Sequence, residues 1–148
     1  MYKHLLLPTD GSKLSEKAIK KGIELAKSMR AKATCVFVTP AYHTMVAEGF
    51  IMPGQGMMAT RYNAESKRRA ERVFDTVKKL AGYAGVACEA VHVSSDVPYE
   101  AIINTARRRK CDLIVMASHG RRGLQGLLLG SETTKVLTHS KLPVLVVR

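Results

Sequence analysis

The stretch Cys111–Ser131, CDLIVMASHGRRGLQGLLLGS, decides how this chain is read. It opens as a short apolar run, Leu113 to Ala117, and turns at Ser118-His119-Gly120. It then carries the basic pair Arg121-Arg122 among further glycines before closing on Gly130-Ser131. A buried strand, a glycine-rich loop and a helix N-terminus in that order present backbone N–H groups to a phosphate in α/β proteins. The rest of the chain is read outward from there.

Upstream, residues 98–110 predict a helix that starts around Asp96-Val97-Pro98, carries Ile102, Ile103 and Ala106, and ends in Arg107-Arg108-Arg109-Lys110. Cations at a helix C-terminus complement its dipole, which is a structural explanation for that cluster. Val86 to Val93 alternates and carries Glu89 and His92, as an edge strand with one wetter face does. Before it, Ala70, Val73, Phe74, Val77, Leu80, Ala81 and Ala84 fall on one face of a helix over 64–84, with Lys67, Arg68, Arg69, Arg72, Lys78 and Lys79 mainly off it.

Residues 39–61 have no clean period and hold Pro40, Pro53, Gly49, Gly54 and Gly56 among four methionines, which predicts a long mobile loop rather than a Met-rich partner surface or lid. Ala33 to Val38 is a β-rich run. The N-terminal KHLLLP, residues 3–8, reads as a strand, followed by the turn Thr9-Asp10-Gly11-Ser12 and an amphipathic helix starting near Ser12. Downstream of the glycine loop, residues 131–140 predict a helix with Val136 and Leu137 inward and Ser131 as its N-cap. Pro143 to Val147 predicts a final edge strand.

Strands alternating with helices call for an α/β fold: a single-domain, open, five-stranded parallel sheet over residues 1–148, Rossmann-like, with helices on both faces. Right-handed crossovers and two wetter edge strands give the order 3-2-1-4-5. The first and fourth strands are then neighbours, and a crevice opens at their C-terminal ends where the winding reverses. Asp10 and the glycine loop both reach that crevice.

Composition sets the bounds. The chain has 148 residues, 46% hydrophobic and 24% charged, as in ordinary globular proteins. No apolar run approaches the roughly 20 residues of a membrane span, and MYKHLLLPTDGS has too short an apolar segment for a secretory signal. Cys35, Cys88 and Cys111 are far apart, each in or beside an apolar run, which predicts buried thiols in a reducing cytoplasm and no zinc site. The net charge of +12 points to an anionic partner. With 5% aromatic residues and no Trp there are few stacking platforms for single strands, so nucleic acid is the weaker reading.

Two phosphate motifs are excluded. No Lys follows a glycine at the G-x-x-x-x-G-K-[ST] spacing, and Gly120, Gly123 and Gly126 recur in threes after the fourth strand instead of forming G-x-G-x-x-G after the first. Loop and helix amides remain the phosphate donors, with Arg121 and Arg122 adding charge. Asp10 is placed to accept from ribose hydroxyls or to help hold a divalent cation, or serves as a turn residue.

These residues resemble the universal stress protein (UspA-like) family. Pro8-Thr9-Asp10-Gly11-Ser12 near the start, ASHG from Ala117, nine residues, then Gly130-Ser131, and KLPVLVV near the end carry the resemblance over essentially the whole chain. It implies an adenine-nucleotide-binding (ATP, ADP or AMP, with Mg²⁺ through the nucleotide), dimeric module in stress resistance. By that resemblance Pro8, Thr9 and Asp10 lie near ribose and base, and Val38 lies beside adenine. Met116, Ala117, His119, Gly120, Arg121, Gly130, Ser131 and Glu132 lie along the phosphate path. The family's G-x-x-G has Ala117 in its first place here. If that backbone requires φ > 0, alanine costs on the order of 1–2 kcal/mol, and if it is still strand-like the methyl costs little.

No nucleophile–base arrangement or placed carboxylate pair emerges, so no catalytic residue and no metal-binding cluster is assigned; His119 reads as a loop-stabilising hydrogen-bonder. The expected function is binding and signalling. The alternatives are a slow ATPase, or an interaction module that uses its basic surface without nucleotide. The apolar edge strand 143–147 predicts a homodimer that covers it, and no membrane association is expected.

Overall fold

In β1 (His4–Thr9) every residue is buried, and neighbouring side chains go to opposite layers. Leu5 and Leu7 join one apolar cluster and Leu6 the other. β4 (Leu113–Ala117) divides in the same way, with Leu113 and Val115 on one side and Ile114 and Met116 on the other. Strands buried on both faces are the centre of a doubly covered parallel sheet. The computed structural model, which describes residues 1–49, 56–120 and 129–148, has that sheet. β3 (Cys88–Ser94), β2 (Lys32–Thr39), β1, β4 and β5 (Val144–Val147) lie in that order, all pairs parallel.

Helices α1 (Lys13–Met29) and α3 (Gly56–Ala84) supply Ile19, Ile23, Phe74 and Val77 to one layer. On the other face, α4 (Pro98–Arg108) and α5 (Ser131–His139) supply Ile102, Ala106 and Val136. Both edge strands are only partly buried, as their wetter composition predicts. At the N-terminal end of the sheet, the Asp112 carboxylate accepts from the N–H groups of Lys3 and His4 at 2.7 and 3.0 Å, fixing the register of β1 beside β4.

Four expectations change. The segment 39–61 is not one loop: α2 (Tyr42–Ala47) occupies part of it, and α3 starts at Gly56 rather than near residue 64; residues 50–55 lie outside the described residues. No residue of α3 before Ala70 is classed as buried among those described, so its first half has no core stripe to announce it. Leu137 is 40% exposed, because Val136 takes the inward position and the next residue is turned ~100° around the helix. Cys35 and Cys111 are buried, but Cys88, on an edge strand, is only half-buried. Burial pushes the Cys111 thiol up to about 11 and raises those of Cys35 and Cys88, so none is an activated thiolate.

Candidate functional site at the C-terminal ends of β1 and β4

β1 ends in a turn organised by its own side chains. Thr9 Oγ1 accepts from Gly11 N–H at 3.1 Å and pairs with Ser15 Oγ at 2.9 Å. Asp10 Oδ1 accepts from Ser12 N–H at 2.9 Å, and Ser12 caps α1 by accepting from Ser15 N–H at 3.2 Å. Gly11 sits at φ 76°, where a side chain is strained, and a Cβ there would also stand 3.3 Å from Val73 Cγ2. The turn reading of Asp10 is therefore correct, and it leaves the carboxylate at the crevice.

β4 ends in a loop closed at its neck. Gly130 N–H donates to Ser118 O at 2.7 Å, and Thr133 Oγ1 donates to Ala117 O at 2.9 Å, tying the first turn of α5 to the end of β4. The two sides then meet. A Cβ on Gly120 would land on the Asp10 carboxylate, and one on Gly130 would lie 3.0 Å from His119 Cα. Neither glycine has a positive φ; at each a Cβ would crowd a neighbour, the Asp10 side chain at Gly120 and the His119 backbone at Gly130.

Ala117 is the last strand residue, paired with Val147, and its φ is not positive. The methyl therefore carries no left-handed strain. Ser131 is the first helical residue and Gly130 the N-cap, without a side-chain capping bond. With the Gly130 amide committed to Ser118, the amides of the first turn of α5 are the ones an α-helix leaves open for an anion.

Pro8 is buried opposite Val36, and Met116 is buried in the α4/α5 layer against which the half-buried Val38 packs. His119 is half-buried and its Nδ1 pairs with Ser118 Oγ at 3.2 Å, while Ser118 O takes the Gly130 N–H. Glu132 reaches toward the start of α4. Its Oε2 accepts from Tyr99 N–H at 2.9 Å at the start of α4, and its Oε1 pairs with Lys135 at 2.9 Å. Arg121, Arg122, Gly123 and Gly126 lie outside the described residues. Ser118 and Thr133 were not singled out from sequence, and only a hydroxyl in the first turn of a helix hinted at the second.

The sequence model of the universal stress protein family matches residues 1–148. The chain belongs to the universal stress protein family. Universal stress protein MJ0531 of Methanocaldococcus jannaschii is 32% identical over 148 residues, covering 100% of this chain and 83% of the relative. The solved structure of MJ0577 superposes with a TM-score of 0.82 at 28% identity, over 99% of this chain and 96% of that one. Two more distant structures share the fold of this universal stress protein. A complex with cAMP has a TM-score of 0.68 at 23% identity over 99% and 97% of the two chains. An Archaeoglobus fulgidus complex with dAMP has 0.71 at 15% identity over 99% and 98%.

Proposed function

We propose that this universal stress protein binds an adenine nucleotide, ATP or its ADP and AMP relatives, in the crevice between β1 and β4, and acts as a cytoplasmic stress-response module. One observation carries the reading: the Asp10 turn and the Gly120 backbone are in contact across the two strand ends, so carboxylate, glycine neck and helix N-terminus converge. In this reading Pro8, Thr9 and Val38 flank the base and ribose, Asp10 accepts from ribose hydroxyls, and Met116, Ala117, His119 and Gly120 line the way to the phosphates. Arg121 adds charge, and the first-turn amides from Ser131 and Glu132 receive phosphate oxygens. The cAMP and dAMP complexes of two family structures agree with that ligand class.

In this reading Mg²⁺ arrives on the phosphates, with Asp10 as its protein contact. We assign no catalytic residue. The edge strand β5, with Leu145 43% exposed, supports a two-fold dimer that covers it. No helix among the described residues is long and apolar enough to cross a membrane.

The test is to denature the purified protein, look for released nucleotide by mass spectrometry, and titrate wild type and Gly130→Glu with ATP. Release of an adenine nucleotide and loss of binding in the variant are expected. Equal binding by both proteins contradicts the loop assignment.

A further inference from the structure

α1, α3 and α4 end in the same turn, closed each time by two backbone bonds. On α1 these run from Ala31 N–H to Ala26 O and from Arg30 N–H to Lys27 O; on α3, from Val86 to Ala81 and from Gly85 to Gly82; on α4, from Cys111 to Ala106 and from Lys110 to Arg107. Such a turn puts one residue in the left-handed region, where glycine is the usual occupant. α3 uses Gly85 at φ 69°, but α1 uses Arg30 at 53° and α4 uses Lys110 at 55°. Two of these turns thus hold a cation in a conformation that L side chains rarely adopt.

All three turns lie at the N-terminal edge of the sheet, at the opposite end of the strands from the β1/β4 crevice. The connections along that edge, residues 1–3, 30–31, 85–87, 109–112 and 140–143, carry Lys3, Arg30, Arg109, Lys110 and Lys141 against one carboxylate, Asp112. Asp112 is occupied by the N–H groups of Lys3 and His4. The described connections at the other edge carry Asp10, Glu48 and Asp96 and no Lys or Arg. Helix dipoles favour Arg107 and Arg108 in the last turn of α4, but Lys3 and Lys32 stand where strands begin. Lys32 N–H donates to Lys3 O at 3.0 Å, so the cationic entries to β2, β1 and β4 are side by side. Lys3, Arg30, Lys32, Arg108, Lys110 and Lys141 are exposed and make no ion pair among the described residues.

We propose that this edge docks the phosphate backbone of a nucleic-acid duplex without reading its sequence. Four strand spacings make the edge roughly 19 Å wide. Over that width a duplex presents a dense row of phosphates, about one charge per 1.7 Å of its axis. The scarcity of aromatic residues counts against single strands, not against a duplex held through its phosphates. The large apolar side chains exposed at this end, Met1, Tyr83 and Leu137, come from three separate parts of the chain; scattered singly, they form no face to enter lipid.

The probe is a fluorescein-labelled random duplex of about 20 base pairs, followed by anisotropy over a range of salt concentrations. Wild type is compared with Arg30→Gly/Lys110→Gly, with Lys13→Ala/Lys17→Ala at the other end of α1, and with Gly130→Glu. Glycine takes the left-handed conformation without strain, so the Arg30/Lys110 variant should unfold no earlier than wild type. It should nevertheless bind the duplex about tenfold more weakly, with a salt slope shallower by about two, while the other two variants bind as wild type does. Four results overturn the proposal: no saturable binding by wild type, equal losses in the two cation variants, competition by poly-glutamate as strong as by unlabelled duplex, or binding to phosphatidylglycerol vesicles in place of the duplex. Gly130→Glu, measured beside them, separates a failure here from a failure of the nucleotide crevice.

Discussion

Gly120 stands against the carboxylate of Asp10 with no room for a side chain between them. Asp10 is at the same time tied to the start of α1 through Ser12 N–H. The contact therefore joins the β1–α1 turn to the loop after β4, and the two halves of the crevice are set by one steric fit.

Gly120→Ala is expected to push Asp10 aside. Stability should fall by about 1–3 kcal/mol from overpacking, and ATP affinity by about tenfold. Adding Asp10→Ala in the same chain removes the clash and should restore part of the stability. A double-mutant cycle by urea unfolding reads the coupling; effects that add within ~0.5 kcal/mol would show that the two residues do not press on each other.

Ala117 departs from the family's glycine, yet its backbone is extended and its pairing with Val147 is intact. Ala117→Gly should therefore not improve ATP binding. It should lower stability by roughly 0.5–1 kcal/mol, because glycine loses more freedom on folding. A clear gain in affinity in the glycine variant would place strain at this residue after all.

Glu132 reaches α4, which has Val97 at its N-cap and no side-chain capping bond of its own. Replacing it by alanine removes that acceptor and is expected to cost about 1 kcal/mol of stability. ATP affinity should change by less than about 0.5 kcal/mol, since both carboxylate oxygens are engaged by Tyr99 and Lys135. Calorimetric titration alongside thermal unfolding separates the two effects.

Burial holds His4 and His92 below their ordinary value of 6.5, with the charge of Lys32 adding to the effect at His4. Their partners are Thr34 Oγ1 at 2.8 Å and Thr39 Oγ1 at 2.9 Å. As pH falls, the unfolded chain takes up these protons before the folded one does. Stability is therefore level above neutrality, declines as pH drops below 6.5, and stops declining only below the folded-state values. Urea midpoints between about pH 7.5 and 5 should show this fall, and His4→Asn/His92→Asn should flatten it. Identical slopes in both proteins would assign the fall to other groups.

Wherever local composition and tertiary packing agree, the fold was legible. Leu5 to Leu7 and Leu113 to Ala117 are apolar on both faces because both faces are covered, and Ala70, Phe74, Val77 and Ala81 repeat because one side of α3 meets the sheet. The first half of α3 was missed because it overhangs the sheet and has no apolar stripe to repeat. At the site, spacing identified Gly120 and Gly130-Ser131 but not what crowds them, which is a neighbour, Asp10 or His119, brought in by topology. Where Glu132 points is set by α4, a partner that lies 33 residues away from it.

The most direct test of the nucleotide crevice is an ATP titration followed by amide chemical shifts in a ¹⁵N-labelled sample. Shifts should concentrate on Asp10, Gly11, Val38, Ser118 to Gly120 and Ser131 to Thr133, saturate together, and disappear in Gly130→Glu. Saturable binding that leaves these amides unmoved would contradict it.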